Sequence, residues 1–219
     1  LVAEEGLLAH GRGEAFDYLI GEKTTRSART AINAAAVTLL SAKNSVISVN
    51  GNIAALCPKE ITQLAKITKS KIEVNLFYHN EDRKKKIVRR LKNVGAKQIL
   101  GTNPRSNRRI IGIDSPRRIV DKDGIFAADV VLVPLEDGDR TQALKRAGKT
   151  VITFDLNPLS RTAQTADITI VDNVIRGMRL LISACRKTRT KKVSFNNKKA
   201  LAEAISEIKN NLKRSASLA

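Results

Sequence analysis

The sequence predicts an α/β fold in which helices cover both faces of a parallel sheet. Short β-branched runs alternate with longer amphipathic stretches, which is the order of strands and helices in such a sheet. Several runs are apolar almost throughout, as expected for strands that are buried on both faces. The chain has 219 residues, of which 42% are hydrophobic, and this is enough for one sizeable core.

The strand candidates are short apolar runs, and the weakest of them lies near Gln98–Leu100. The clear candidates are Ser45–Val49, Ile72–Phe77, Asp129–Pro134, Thr150–Asp155 and Asp167–Val171. The stretch Arg105–Arg118 is polar, basic and interrupted by proline, so we interpret it as a surface loop.

Helix candidates lie between these runs. Apolar spacing predicts a helix over Thr25–Lys43, and Pro58 opens another because proline suits the first helical turn. A third, Glu81–Val94, places its apolar residues on one face and ends at Gly95, a helix C-cap. The remaining predicted helices are Asp139–Ala147 and Asn173–Arg186.

Positive charge dominates the composition, with a formal net charge of +19. Residues 176–219 contain 12 Lys or Arg and 2 Glu, so about half of the excess lies in the last fifth of the chain. We therefore predict one domain over residues 1–188 and a basic C-terminal extension over residues 189–219, with helical spacing of its apolar residues. The charge favours anionic partners, namely nucleic acid, acidic membrane surface or phosphorylated small molecules.

A non-catalytic nucleic-acid-binding protein that uses this basic tail is the alternative function. The aromatic content of 3% and the lack of Trp weaken that alternative, because single-strand binders offer aromatic stacking platforms. No apolar run is long enough to span a membrane, so we expect no membrane partner. Cys57 and Cys185 lie far apart, which predicts reduced core thiols in a cytoplasmic protein. Because the first residue is Leu1 and not Met, we expect the natural N-terminus to lie upstream.

In open parallel sheets, ligands bind beyond the carboxyl ends of the strands. Asp155 ends one predicted strand and is placed to hold ribose hydroxyls or a base edge. After it, Ser160 and Thr162 offer hydroxyl and N–H groups to an oxyanion, and Arg161 offers a planar fork of donors to phosphate. An ordinary strand-to-helix turn capped by Ser160 explains the same residues, and composition alone slightly favours it.

Two other strand ends carry polar residues. Asp172 and Asn173 precede a predicted helix, where they can cap it while its N–H groups face an anion. Glu136, Asp137 and Asp139 form an acidic loop that suits Mg²⁺ or a substrate amine. An Asp-Gly turn with Asp139 as the helix cap is an equally good interpretation of that loop.

Two glycine-containing segments are weaker candidates. In Asn50–Asn52, Gly51 permits a left-handed backbone and the two amides can both donate and accept hydrogen bonds. Near the N-terminus, Arg12 lies between two glycines, which would let its backbone approach a ligand closely. The neighbouring His10 is more often structural than catalytic. The chain has no GxGxxG fingerprint and no Walker-type phosphate loop.

Taken in order, six strings of the sequence carry a resemblance. They are His10–Glu22, Ile47–Asn52, Ile72–Tyr78, Val130–Thr141, Asp155–Thr162 and Ile170–Asn173. Together they resemble the archaeal phosphopantothenate synthetases. Members of that family begin with a further segment containing a His-Pro-Arg element that helps to bind ATP. The strings end at Asn173, so we expect the basic tail after Arg186 to lie outside the family core.

The resemblance implies a Rossmann-like fold, a homodimer, and ATP with Mg²⁺ as cofactors. It implies a ligase domain that condenses 4-phosphopantoate with β-alanine in coenzyme A biosynthesis, giving 4'-phosphopantothenate, AMP and pyrophosphate through an acyl-adenylate. By the same resemblance, ATP is held by Arg12, Asp155, Leu156, Asn157, Arg161, Thr162, Asn173 and Val174.

The residues themselves suggest further candidates for the chemistry. We add Asn50, Asn52 and the acidic loop as contacts for substrate or metal, and we assign no residue as a metal ligand. The catalytic candidates are Arg12, Asn50 and Asp137. An acyl-adenylate route needs positioned reactants, neutralised phosphates and a deprotonated amine, so we predict no covalent intermediate on the enzyme.

Overall fold

A computed structural model of the chain describes residues 1–77, 80–189 and 192–217, with the backbone but not the side chain of Arg12. Its strands are β1 (Ser45–Val49), β2 (Lys71–Val74), β3 (Ile99–Leu100), β4 (Asn107–Arg109), β5 (Ile119–Asp121), β6 (Val130–Leu132), β7 (Thr150–Phe154) and β8 (Ile168–Ile170). Its helices are α1 (Glu4–Ile20), α2 (Arg26–Ser41), α3 (Gly51–Leu56), α4 (Pro58–Thr68), α5 (Glu81–Asn93), α6 (Gly138–Arg146), α7 (Arg161–Thr165), α8 (Val174–Lys187) and α9 (Asn197–Ala216).

Six of the strands form one parallel sheet in the order β3-β2-β1-β6-β7-β8. The chain winds outward from β1 to β3 and then crosses to β6, next to β1, before continuing to β8. This is the doubly wound order of the Rossmann fold, and its switch point lies between β1 and β6. The predicted Rossmann-like fold is therefore confirmed.

Helices cover both faces of this sheet. Alternate residues of β1 point to opposite faces, as the pleat requires. Ile47 and Val49 belong to the larger apolar cluster, with α2, α4, α5 and α8. Val46 belongs to the smaller one, where Ala143 and Leu144 of α6 pack with residues of the segment 110–128. Both clusters contain fully buried aliphatic side chains, so the sheet lies in the middle of the core.

The predicted strands and helices are present, with differences at their ends. The strand predicted over Ile72–Phe77 ends at Val74. The stretch Arg105–Arg118, predicted as a surface loop, contributes β4 to a short antiparallel pair with β5. That pairing depends on β5, which follows the stretch, because β4 is exposed and polar and has no strand pattern of its own.

The two glycine-containing segments differ from the predictions. Gly51 is the first residue of α3 and does not have a left-handed backbone. A Cβ there would collide with the carbonyl oxygen of Leu1, so close packing is what requires glycine. Gly11 and Gly13, which were expected to let the backbone of Arg12 approach a ligand closely, lie within α1, so the backbone there is helical. The predicted role of the Arg12 side chain falls outside the described residues.

The C-terminal helix α9 packs against the rest of the fold. Ala200, Leu201 and Ala204 are buried, and α9 contacts α2, α1 and β8. The side chain of Asn197 joins the start of the helix to β8 and α7, since it accepts from Thr169 N at 2.8 Å and donates to two carbonyl oxygens. A helical tail was predicted and is present; the division of the chain at residue 188 stays a prediction.

Candidate active site

A cavity of about 440 Å³ opens at the carboxyl edge of the sheet. The ends of β6 and β7 form one side of it, the start of α8 closes it, and α1 lies across it. Most of the polar residues singled out from the sequence line it: Asn52, Glu136, Asp137, Asp155, Asn157, Ser160, Arg161 and Thr162. Leu156 and Val174 also line it. The topology thus brings together loops that are more than a hundred residues apart in sequence.

The loop after β7 is organised by Asp155. One carboxylate oxygen accepts a hydrogen bond from Asn157 N at 2.9 Å, and the other accepts from the hydroxyl of Ser160. The Ser160 hydroxyl oxygen in turn accepts from Ala163 N at 2.9 Å and caps α7. The interpretation of this loop as a strand-to-helix turn capped by Ser160 is thus confirmed, and the loop also lines the cavity.

Asp155 is a partly desolvated acid. Burial raises the pKa of its carboxyl group, and the hydrogen bonds from Ser160 and Asn157 oppose that rise. A carboxylate oxygen has lone pairs for more than one donor. Asp155 can therefore hold its own loop and still accept hydrogen bonds from hydroxyl groups of a ligand in the cavity.

Glu136 is a buried carboxylate between two arginines. It forms ion pairs with Arg117 and with Arg140, and the three side chains are between 1% and 8% exposed. Arg140 also donates to the Ser48 hydroxyl at 3.1 Å, which places a guanidinium beneath the end of β1. Burial is the main reason why the pKa of each arginine falls to about 10, so both stay charged at neutral pH.

The rest of the acidic loop is also paired with arginine. Asp137 caps α6 by accepting from Arg140 N at 2.8 Å, and its second oxygen lies 3.1 Å from Arg117 Nη1. Asp137, not the predicted Asp139, is the residue that caps the helix. Asp139 lies 3.1 Å from Arg161 Nη1, and both side chains are about 70% exposed.

These pairings bear on the proposed magnesium site. Each acid of the loop already has a cationic partner, so their arrangement does not fit direct ligation of a metal ion. Across the described parts of the chain, no group of three or more His, Cys, Asp or Glu side chains is placed to hold a metal. Mg²⁺ is commonly held through substrate phosphates and water, which needs no such group.

The start of α8 is tied to α1. Asn173 caps α8 by accepting from Ile175 N at 3.0 Å, and its amide donates to Glu14 at 2.9 Å and to Asp17 at 3.1 Å. Arg176, one turn into α8, reaches Asp17 at 2.6 Å. The capping interpretation of Asn173 is confirmed, while its neighbour Val174 is the residue of this pair that lines the cavity.

The amide oxygen and the amide nitrogen of Asn50 both form hydrogen bonds with the backbone. Its oxygen accepts from Ile53 N at 3.1 Å and caps α3. Its nitrogen donates to the carbonyl oxygens of Pro134 at 3.3 Å and Leu135 at 3.0 Å. Leu135 has a φ of 54°, so Asn50 supports a strained turn at the end of β6. Asn50 therefore holds the turn that contains Leu135, a residue that lines the cavity.

The structure also shows residues that sequence reasoning missed. Arg117 and Arg140 were not predicted, because a buried arginine gives no local signal and arginine is usually exposed. Glu14, four residues after His10 on α1, lies 3.2 Å from the His10 ring nitrogen at the cavity. The i, i+4 spacing of this pair was a usable signal.

The fold and the cavity define a doubly wound α/β protein with a ligand site at the carboxyl edge of its sheet. None of the described helices is both long and apolar enough to cross a bilayer. Comparison with known protein families then identifies the family within this class of α/β proteins. The phosphopantothenate/pantothenate synthetase family matches residues 27–211, and the chain belongs to that family. The match includes most of α9, so our expectation that the tail lies outside the family core is wrong.

Individual relatives agree with the family match. A 4-phosphopantoate–β-alanine ligase of Thermococcus onnurineus is 54% identical over 86% of this chain and 72% of its own length. A protein of the same name from Methanosarcina mazei is 50% identical over 97% of this chain and 86% of its own. A third, from Thermococcus kodakarensis, is 49% identical over 99% and 85%.

Proposed function

We propose that this chain is an ATP-dependent ligase that condenses 4-phosphopantoate with β-alanine. The observation that carries the proposal is the identity of about half of all residues with ligases of that name over most of the chain. The polar cavity at the carboxyl edge of the sheet supports it, because doubly wound folds bind nucleotides there. The products are 4'-phosphopantothenate, AMP and pyrophosphate, on the route to coenzyme A.

ATP occupies the cavity lined by the β6 and β7 loops. Asp155 accepts hydrogen bonds from hydroxyl groups of the ribose, and Leu156 and Asn157 contact the nucleoside. Arg161 and Thr162, at the start of α7, contact the phosphates, as does Arg12. Asn173 and Val174 place the start of α8 next to the nucleotide, where its N–H groups favour negative charge. Among the residues that the structure describes, the exposed guanidinium of Arg161 pairs only with the exposed Asp139, so it is available to a ligand.

The chemistry has two steps. A carboxylate oxygen of 4-phosphopantoate attacks the α-phosphorus of ATP, forming an acyl-adenylate as the bond to pyrophosphate breaks. The neutral amine of β-alanine then attacks the acyl carbon, an amide bond forms, and AMP leaves with the acyl C–O bond electrons while the amine loses a proton. We assign charge stabilisation to Arg12 and the binding of the amine to Asp137, whose carboxylate is 37% exposed. Asn50 is a positioning residue that holds the turn after β6.

Three further features belong to the proposal. Mg²⁺ supplies charge neutralisation at the ATP phosphates and is held mainly through them. The protein is a homodimer, as its resemblance to the family implies, and the exposed Leu7 and Tyr18 of α1 are apolar side chains that a second copy would cover. It acts in the cytoplasm, where buried free thiols such as Cys57 and Cys185 stay reduced.

The test is formation of AMP and pyrophosphate from ATP, Mg²⁺, 4-phosphopantoate and β-alanine, with each component omitted in turn. We expect both products only in the complete mixture. A folded protein that forms neither would contradict the ligase assignment. Binding of nucleic acid by that same protein, weakening steeply with salt through counterion release, would then support the alternative function.

A further inference from the structure

Helix α1 brings a histidine and a glutamate to the cavity in which we place ATP. His10 and Glu14 both line this cavity, together with Asp137 and Asp155. They are one helical turn apart and therefore lie on the same face of α1. Their side chains are 30% and 37% exposed, so each is partly buried and still reaches the cavity. The steps of the ligase reaction described above give neither residue a role.

Glu14 is held by the start of α8. Its Oε1 accepts a hydrogen bond from the amide of Asn173 at 2.9 Å, and Asn173 itself caps α8. Its Oε2 is buried and accepts no hydrogen bond from the rest of the described chain. Buried polar atoms are seldom left without a donor, and His10 Nε2 lies 3.2 Å from this oxygen. The ring nitrogen that faces Glu14 is therefore the one that carries the hydrogen.

This contact decides which atom of the imidazole can accept a proton. An ionised carboxylate only accepts hydrogen bonds, so it selects the form of the ring with the hydrogen on Nε2. The other nitrogen, Nδ1, then keeps its lone pair and can take up a proton. The Glu14 carboxylate stabilises the positive charge that the His10 ring gains, because a nearby opposite charge favours the charged form. His10 and Glu14 thus form a base with a fixed orientation.

The other charged side chains of the cavity are less suited to take up a proton. Glu136 and Asp137 are paired with arginine, and Asp155 accepts hydrogen bonds from its own loop. Arg161 stays protonated. Imidazole is the side chain that both gains and loses a proton near neutral pH, as a general base must. Among the lining residues that the structure describes, His10 provides the imidazole.

We propose that His10 is the general base of the step that forms the amide bond, and that Glu14 is the positioning residue that orients its ring. The nitrogen lone pair of β-alanine forms the bond to the acyl carbon of the adenylate, and the electrons of the acyl C–O bond leave with AMP. The proton that the nitrogen loses goes to His10 Nδ1, which releases it to water before the next turnover. The inference rests on the proposed function and names the group that takes this proton.

The two steps of the reaction can be measured separately. Formation of the acyl-adenylate transfers no proton, so loss of His10 should spare it. This step is followed as exchange of labelled pyrophosphate into ATP in the presence of 4-phosphopantoate without β-alanine. The second step is followed as formation of 4'-phosphopantothenate once β-alanine is added. The variants are His10→Gln and Glu14→Gln, and Glu5→Gln is the matched control, because Glu5 is exposed on the same helix and does not line the cavity.

The two steps should respond differently to these substitutions. We expect His10→Gln to exchange pyrophosphate within about 2-fold of the wild-type rate and to form the amide about 100-fold more slowly. Glu14→Gln should form the amide about 10-fold more slowly, as for the loss of one hydrogen bond to a charged group. Glu5→Gln should match the wild type in both steps. Retained exchange also shows that a variant is folded.

The pH dependence distinguishes a base from a residue that only supports the fold. In the wild type, kcat/KM for β-alanine should fall about 100-fold per pH unit on the acidic side, because the amine and the base must both be unprotonated. In His10→Gln it should fall about 10-fold per pH unit, because only the amine titrates. Added imidazole should raise the rate of amide formation by His10→Ala, because it can occupy the space that the ring leaves.

Two other results have different meanings. Equal losses of pyrophosphate exchange and amide formation in folded His10→Gln, or a pH dependence that matches the wild type, would overturn the assignment of the base and leave the ligase intact. A folded wild-type protein that neither exchanges pyrophosphate nor forms the amide would overturn the proposed function, and the role of His10 would fall with it.

Discussion

Arg117 and Glu136 form a buried ion pair that joins the turn before β5 to the end of β6. Glu136 also lines the cavity of the proposed active site, and Arg140 forms a second ion pair with it. Removing the carboxylate that two buried guanidinium groups share is destabilising, because it leaves their charges buried and uncompensated. This pair therefore links the stability of the fold to the shape of the proposed active site.

Loss of the Glu136 charge should be costly. In Glu136→Gln, Arg117 and Arg140 stay buried without their shared carboxylate, and we expect the free energy of unfolding to fall by about 3–5 kcal/mol. Urea denaturation measures this. Glu203→Gln, on the exposed side of α9, is the control and should change stability by less than about 0.5 kcal/mol. Equal effects of the two substitutions would show that the buried ion pair contributes little to the free energy of unfolding.

Arg161 should matter for ATP binding and hardly at all for stability. Its side chain is exposed and pairs only with the exposed Asp139 within the described ranges, so Arg161→Ala should leave the unfolding free energy unchanged within about 0.5 kcal/mol. We expect the Kd for ATP to rise about 10-fold. Asp139→Asn keeps the guanidinium and should retain ATP affinity. Unchanged ATP binding by folded Arg161→Ala would contradict the proposed phosphate contact.

Asp155→Asn should also weaken ATP binding. The amide nitrogen of Asn cannot accept a hydrogen bond, so one of the two contacts that order the loop, from Ser160 or Asn157, is lost. We expect the Kd for ATP to rise about 10-fold, measured by equilibrium dialysis. Asp167→Asn is the control at the opposite edge of the sheet, where Asp167 pairs with Lys145. It should lower stability and leave ATP affinity unchanged, and the reverse pattern would argue against the site.

Glu73 should make stability depend on pH. Its carboxyl group is fully buried in β2, and burial raises its pKa from 4.5 to about 7, although Ile125 N and Asp121 N donate to it. The folded protein therefore holds a proton that the unfolded chain releases between these two values. The contribution of Glu73 to stability should decrease by up to about 3 kcal/mol as the pH rises from 4.5 to 7 and be constant above 7.

The measurement is the unfolding free energy of the wild type minus that of Glu73→Gln across this pH range. The difference isolates Glu73, because the other titrating groups are common to both proteins. A difference that increases with pH would mean that the two backbone donors keep the carboxylate ionised in the folded state.

The start of α9 should be a stability determinant. Asn197→Ala removes one acceptor and two donated hydrogen bonds that join α9 to β8 and α7. We expect a loss of about 2 kcal/mol, because Thr169 N and two carbonyl groups lose their partners. Asn210→Ala, exposed on the same helix, should cost less than about 0.5 kcal/mol. Thermal unfolding of the two variants and the wild type distinguishes them.

Elements with a strong local pattern could be predicted. The helix α5 has one apolar face, and Gly95 follows its C-cap, so its limits were found to within one residue. The helix α1 was missed because Gly11 and Gly13 weaken helix propensity and its apolar residues do not form one stripe. The strand β4 was missed because Asn107, Arg108 and Arg109 are all exposed and show no alternation.

By itself, the sequence determined the alternation of strands and helices, the polar loops at the strand ends and the family. These depend on local spacing or on ordered strings of residues, and Asp155 could be placed at a strand end from its neighbours alone. Only the tertiary structure decided which loops meet. It buried Arg117 and Arg140 around Glu136. Such contacts depend on strand order and burial, and neither of these produces a periodic pattern of residues in the sequence.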